Sequence, residues 1–417
     1  MNGLPILSFL PSLGDIIATL FVIFLGYMAF WIRVYYKRYL HAANVPWVLL
    51  EIRVPKEIRR SPEAMELILM NSMFQTGGVG NFYKKYVQGR LLAWFSLEIV
   101  SLEGQIHFYI RTPAFHRDII TSQIYAQYPQ AQVVEAEDYT KLIPPYHAGG
   151  EYNLYSGDFR LTKPSHFPIK TYRDSGTDKK LESLEPDQQI DPLVSLLEAM
   201  GTTVRKNEYF WIQIIIQPEK DDSWREGGKA EINKILQRED DKAADANANV
   251  WKKFKTITKG EQEIIEKIER KISQHAWKTG IRVIYIAKKS NYDGNKHRNI
   301  KHLFESFNSW NMNTLKRVAI TGFDNPWQDV GDTITNRQRR YQFEEYVLRM
   351  YHDHFYTFSW FDIYQRFFMP PVMRHIVNIM NAEEIASIFH LPGRVLQSPS
   401  VGRIQSRKAE PPSNLPT

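Results

Sequence analysis

No cysteine occurs in the 417 residues, which excludes disulfide frameworks, thiolate zinc sites, iron–sulfur ligation and a thiol nucleophile. The same absence suits a reducing compartment. No Gly-x-x-x-x-Gly-Lys-Ser/Thr run is present. A phosphate cradle needs one, because backbone amides hold the phosphates while the Lys and the hydroxyl reach the terminal phosphate and magnesium. Gly77, Gly78 and Gly80 make the one Gly-rich loop, but Asn81 and Phe82 follow it, so a helix stop is the better reading. No Gly-x-Ser-x-Gly elbow appears, and serine hydrolysis has no signal. Charge of one sign is scarcely in excess: 53 Lys plus Arg stand against 46 Asp plus Glu, a net +7. That balance permits contact with phosphates or anionic lipid without demanding either. The expectation is therefore of no cofactor, no metal and no enzymatic role.

What is present can fold. Hydrophobic residues make up 43% and aromatic residues 13% of the chain, which excludes wholesale disorder. At roughly 150 residues per domain the length suggests two to three domains. One segment is apolar on every face. Between Asp15 and Arg33 no charge interrupts Ile16 to Ile32, and with Val34, Tyr35 and Tyr36 the run reaches about 20 residues, the length that crosses a hydrocarbon core. Ile16, Leu20, Phe24, Tyr27 and Trp31 lie along it, with Trp31 at the end where aromatic rings suit the interface. Arg33, Lys37 and Arg38 follow at once. By the positive-inside rule this makes a single-pass protein of the cell membrane with its N-terminus outside and its body cytoplasmic. A cleaved signal peptide would want positive charge before the apolar run and small residues at its end, and neither is present. Lys37, Arg38, Arg53, Lys56, Arg59 and Arg60 are placed to meet anionic headgroups, at about 1 kcal/mol each.

The cytoplasmic part reads as α+β, one design used twice. Across residues 46–140, WVLLEIRV, WFSLEIVS, QIHFYIR and AQVVEAEDY are strand-like, while EAMELILMNSMF and AFHRDIITSQIYAQY have helical spacing. The order is βαββαβ, which gives a ferredoxin-like antiparallel sheet with two helices on one side. Across residues 141–322 the same order is expected from PIKTYRD, LVSLLEAM, YFWIQIIIQ, IRVIYIA, HRNIKHLFESFNSW and TLKRVAIT. This second unit carries an insertion at about 220–278, longer than an unstructured loop sustains. Ile264, Ile268, Ile272 and Ala276 recur every fourth residue within it, so a helix there pairs with another near Trp224 to Leu236. A projecting helical hairpin is the reading adopted; helices that merely cover the sheet would show the same period. Residues 323–391 read as a helical C-terminal segment, with Asn381 capping AEEIASIF. Residues 392–417 read as an extended basic tail rich in proline.

Three stretches make the sequence familiar: LLEIRVPKE beside the membrane, FYIRTPAFHRDIITSQIYAQYPQAQVVEAEDY in the first unit, and NAEEIASIFHLPG with SRKAEPPSNLP near the end. Together they resemble the N-terminal, membrane-proximal region of conjugation and type IV secretion coupling-protein ATPases of small-genome bacterial lineages. The resemblance covers about Trp47 to Pro416, and the closing motif is its most specific part. In that family a RecA-like motor with a phosphate-binding loop follows this region. Here the chain stops at Thr417, so the family's nucleotide-binding residues have no positions to be carried onto.

Among polar clusters, His352, Asp353 and His354 lack a third metal ligand at useful spacing and read as an exposed patch. Glu135, Glu137 and Asp138 at a strand end read as a solvated edge rather than as paired catalytic acids. Arg337, Arg339, Arg340 and Arg349 lie among Tyr341, Phe343, Tyr346 and Tyr351, an interleaving that can put guanidinium groups on phosphates and rings on bases. Glu344 and Glu345 sit within a turn of them and favour a salt-bridged helix face. The leading expectation is a membrane-tethered, non-enzymatic scaffold of a DNA-transfer or secretion assembly that docks a separately encoded ATPase. The alternative is a membrane-associated nucleic-acid-binding protein contacting DNA through Arg337, Arg339, Arg340, Tyr341 and Arg349, and either role is compatible with a homo-oligomer.

Overall fold

A computed structural model describes residues 12–55, 60–74, 80–176, 191–202, 205–236, 257–320, 327, 329–349, 377–392 and 403–404. The chain begins with α1 (Leu13–Asn44), started by a capping box in which Ser12 and Asp15 exchange hydrogen bonds. Then follow β1 (Trp47–Pro55), α2 (Glu63–Ile68, prolonged by a π turn over Leu69–Met73), β2 (Phe95–Leu102), β3 (Gln105–Pro113), α3 (Arg117–Gln127) and β4 (Gln132–Glu135). Next come β5 (Tyr152–Leu161), α4 (Pro192–Thr202), β6 (Glu208–Pro218), α5 (Ser223–Ile235), α6 (Lys259–Ser273), β7 (Ala276–Lys288), α7 (Gly294–Asn299) and β8 (Leu315–Ile320). The last elements are α8 (Thr333–Leu348), β9 (Asn378–Asn381), α9 (Ala382–Ile388) and the short β10 (Arg403–Ile404).

Among the described residues ten strands share one sheet, in the order β10-β1-β3-β2-β6-β7-β5-β8, with β4 also on β1 and β9 also on β7. Every pairing is antiparallel except that of β10 with β1. The β2–β3 hairpin turns at Glu103 and Gly104, both with positive φ, the backbone that a tight hairpin of matching twist requires. The two halves meet where β2 pairs β6 from Phe95↔Ile216 to Leu102↔Tyr209.

Alternation along the strands sends side chains to two faces. On one face Ile110, Phe108, Ile212, Ile214 and Val283 join helices α2, α3, α4 and α9 in a core that runs through both halves. On the other, Leu49, Tyr109, Trp211 and Ile284 lie under α8 through Phe343 and Tyr346. The fold is therefore α+β, as the sequence implies.

Four local expectations change. PIKTYRD is no strand: it runs in turns whose amides are taken by side chains of α9, Ile169 N by Glu384 (2.9 Å) and Tyr172 N by Ser387 (2.9 Å). The strand in its place is β5, whose Asn153, Gly157 and Asp158 hide it from propensity. HRNIKHLFESFNSW is broken, α7 passing into 3₁₀ turns at Ile300–His302 and Glu305–Phe307. The C-terminal segment is not all helix, since Asn378–Asn381 adds a strand to the start of β7. The two inserted helices do pack together, with Gly228 so close to Ile272 that a Cβ there would come within 2.7 Å. Their end does not project freely: α6 is held against α9 through Lys271 and Glu384, 2.8 Å apart and both buried.

Candidate functional site

The residues that set this chain apart from an ordinary sheet protein gather where α1 meets the body. Along the apolar run Ile16, Leu20, Phe24 and Tyr27 are exposed, and none of the most apolar window is buried. Past it the helix changes character. Val34 and Arg38 are buried, the Arg38 guanidinium lies 5.9 Å over the Tyr86 ring, and Trp31 meets the same ring edge-on at 6.1 Å. Gly89, at φ +69°, lies against α1 so closely that a Cβ would stand 2.5 Å from the Lys37 carbonyl carbon, so only glycine fits. Of the expected headgroup contacts, Arg33 stays exposed and Lys37 is half-buried, whereas Arg38 is spent on Tyr86. Lys56 and Arg59 fall outside the described residues, while Arg53 is tied to Glu51 at 2.7 Å.

From this junction a polar network runs under α8. Trp47, the first residue of β1, packs on Trp94 with ring centroids 4.7 Å apart and carries the Arg111 guanidinium on its face at 4.5 Å. Burial first, and then the neighbouring Arg349, pulls the Arg111 pKa down to about 10, still charged at neutral pH. The Trp94 indole donates to the Arg349 carbonyl (3.2 Å), where α8 ends in a left-handed residue. Arg349 itself is buried: Nε donates to Glu98 (3.0 Å) and Nη2 to Asp138 (2.8 Å). Burial opposes its charge, but Glu98, Tyr139 and Asp138 outweigh that and hold its pKa well above the ordinary. The Asp138 carboxyl is likewise kept below its usual range, burial being outweighed by Arg349.

Glu98 is saturated. It accepts from Ser96 (2.6 Å) and Tyr139 (2.7 Å) besides Arg349, and Tyr139 shares a second bond with Tyr346 (2.8 Å). A second buried cation, Arg282 of β7, reaches Asp158 (3.2 Å) and Glu345 of α8 (3.1 Å). With Glu98 fully paired and Glu98, Arg349 and Arg282 closed to solvent, such a network holds a helix in register on a sheet.

The Arg-rich helix therefore follows the salt-bridged reading rather than the nucleic-acid one, with Glu344 on Arg340 and Glu345 on Arg282. Arg349 is withdrawn from any nucleic acid by burial and two carboxylates, because a guanidinium with no exposed surface cannot meet a phosphate. Arg340 is exposed but pairs with Glu344 (2.8 Å), Arg339 leans on Asn336 (3.3 Å), Tyr341 is half-buried, and Arg337 is exposed. Asp138 is no solvated edge, since it closes on Arg349; Glu135 does stay half exposed, 3.4 Å from Arg117. His352, Asp353 and His354 lie outside the described residues, as do Arg394, Arg407 and Lys408 of the tail. Among the described residues no group of three His, Asp or Glu side chains is placed to hold a metal.

A cavity of about 490 Å³ opens between α4 and the α7 turns, lined by Phe210, Tyr285, Lys296, Ile300, Leu303 and Ser306. Lys296 there is already paired with Glu208.

A model of one protein family matches residues 40–403, from the last turn of α1 to β10. The chain belongs to the DUF8128 family, a domain of unknown function. No protein of curated function matches it. The family's matched region takes in both halves of the sheet, α8 and α9, and excludes the apolar run. Sequence reasoning missed Tyr86, Gly89 and Glu98 in the junction. The pattern Phe82-Tyr83-Lys84-Lys85-Tyr86, rings flanking two lysines directly after the Gly-rich loop, was the signal available.

Proposed function

We propose that the protein is a single-pass, membrane-anchored scaffold without an enzymatic role of its own. It docks a separately encoded ATPase of a DNA-transfer or type IV secretion-like assembly. The observation that carries the anchor is α1, 32 residues long with an apolar window of which none is buried. Water would leave that surface unpaid at about 25 cal/mol per Å², whereas a bilayer accepts it. A leader that is cut away would take with it Val34, Arg38 and the Trp31–Tyr86 contact, which are built into the body; this supports a retained anchor. Arg33, Lys37 and Arg38 beyond the run, with Asp15 before it, support a cytoplasmic body and an external N-terminus.

The body is read as two ferredoxin-like units. Their strand orders, β4-β1-β3-β2 and β8-β5-β7-β6, repeat one pattern, and helices stand at the matching connections; both facts support the reading. The buried ion-pair networks under α8 support a structural part, and the docking of an ATPase rests on the resemblance of the NAEEIASIFHLPG and first-unit stretches. Purification from membranes in mild detergent tests it. A nucleotide hydrolase encoded elsewhere should come with the chain. Its repeated absence, or nucleotide hydrolysis by the purified chain alone, would overturn the scaffold reading.

A further inference from the structure

The turn over Tyr83–Val87 stands out beside α1. It follows Asn81, whose side chain accepts from the Lys84 amide (3.2 Å), and it is closed by Gln88 N to Tyr83 O (3.0 Å) and Arg90 N to Lys84 O (3.0 Å). Phe82 and Tyr83 leave their rings in the open, 68% and 57% exposed, and Lys84 is exposed beside them. Large aromatic rings left bare in a short turn next to lysines are unusual for a surface facing water.

The direction of this segment decides what it meets. Gly89 touches α1 at Lys37 and Arg38, while Tyr86 reaches back to Trp31, the last aromatic of the charge-free run. From 89 back to 82 the chain therefore climbs along α1 toward its apolar part. Phe82 packs on Tyr86 with ring centroids 4.7 Å apart and the planes tilted by 39°. Resting on the reading of α1 as a membrane span, we propose that Phe82, Tyr83, Lys84 and Lys85 form a second membrane contact: the two rings enter the headgroup layer beside α1 and the ammonium groups meet lipid phosphates.

The occupant is the bilayer because the patch adjoins the exposed belt of α1 through the half-buried Trp31, which packs between Tyr86 and the exposed Phe30, and because its chemistry, rings beside ammonium groups, is that of an interface. A single helix leaves a body free to swivel about its axis. A second contact on one side of the helix fixes which face of the sheet looks at the membrane.

The absence of cysteine makes the test clean. The full chain carrying Tyr83→Cys, labelled with an environment-sensitive nitrobenzoxadiazole group, is reconstituted in vesicles of phosphatidylcholine with one quarter phosphatidylglycerol. Phe24→Cys reports α1, and Trp310→Cys, at a side chain 94% exposed, reports open solvent. The expected result is a blue shift and loss of emission at 83 with lipids spin-labelled near the headgroup, at 24 with lipids labelled deep in the chain, and at 310 with neither. Emission at 83 that matches 310 while 24 is quenched overturns the second contact and leaves the anchor standing. A blue shift at 83 that no lipid label quenches means that protein, such as a second copy, covers the patch, and overturns it too. If 24 is unquenched, the membrane span itself fails and the proposal with it.

Discussion

Helices α1 and α9 invert the usual relation between composition and burial. Along Ile16 to Ile32 helix α1 is apolar on all sides and has none of its most apolar window covered, whereas α9, Ala382–Ile388, carries Glu383, Glu384 and Ser387 and is buried at every residue. Charges in a core cost several kcal/mol per ion unless partners repay them. Glu384 is repaid fully: its oxygens accept from Ile169 N (2.9 Å), Asn381 N (3.0 Å) and Lys271 Nζ (2.8 Å). Glu383 accepts from Thr171 (2.6 Å) with Arg270 and Arg173 near, although burial still pushes its pKa up. The difference teaches that hydropathy alone does not set burial: that of a charged helix is decided by partners far away in the chain.

The contrast breaks most completely at α1. Placing Leu20→Arg with Phe24→Arg puts two guanidinium groups in the middle of the run, at roughly 2.5–3.5 kcal/mol each on insertion. Carbonate-washed membranes should lose the chain, and an unchanged pellet would refute the anchor. On the α9 side, Lys271→Met leaves Glu384 buried without its cation and should cost about 3–5 kcal/mol by urea denaturation in detergent. Adding Glu384→Gln removes the stranded charge but turns an NH2 group toward either the Ile169 or the Asn381 amide, so it should restore only part of that loss; a double variant as weak as the single one would mean that charge is not what the loss reports. Arg349→Met should likewise cost about 3 kcal/mol by stranding Glu98 and Asp138, while Arg340→Ala, in an exposed pair, should leave the urea midpoint essentially unchanged. Equal effects at 340 and 349 would contradict the buried network.

Much of the frame was legible in residues. The apolar run, the β2–β3 hairpin at Glu103-Gly104, the helices around Met65 and Ile120, the strand YFWIQIIIQ and the Asn381 cap all stand where local pattern places them. They are elements whose signal is short-range: periodicity, a turn residue, a capping side chain. What escaped was set at long range. Strand β5 is held by β7 and β8 despite weak propensity, PIKTYRD is kept from strand form by α9, and Arg349 reads as a solvated cation until Glu98, 251 positions away, closes on it. In the junction, Gly89 looks like a loop residue; its positive φ and its approach to Lys37 together explain it.

The smallest effect sharpens the comparison by titrating the end of α9 itself. His390, buried just beyond the helix, lies 2.9 Å from Asp191 through Nε2, and its Nδ1 donates to the Ala386 carbonyl (2.9 Å). Burial disfavours the imidazolium, yet Asp191 outweighs it, so the folded pKa stands above the ordinary 6.5. Asp191 moves the other way, burial being outweighed by His390, and its folded pKa stands below the ordinary 3.8. The sign follows from linkage: a raised imidazole pKa gives stability that is complete below 6.5 and is lost as pH rises through the folded value. The lowered carboxyl pKa gives stability that is complete above 3.8 and is lost as pH falls through the folded value. Urea midpoints should therefore decline on the alkaline side of 6.5 in the parent chain and stay level there in His390→Gln, which keeps a hydrogen-bonding group but cannot titrate. A decline of equal slope in both would place the alkaline loss elsewhere, whereas a level variant would show that α9, unlike α1, owes part of its seat to a proton.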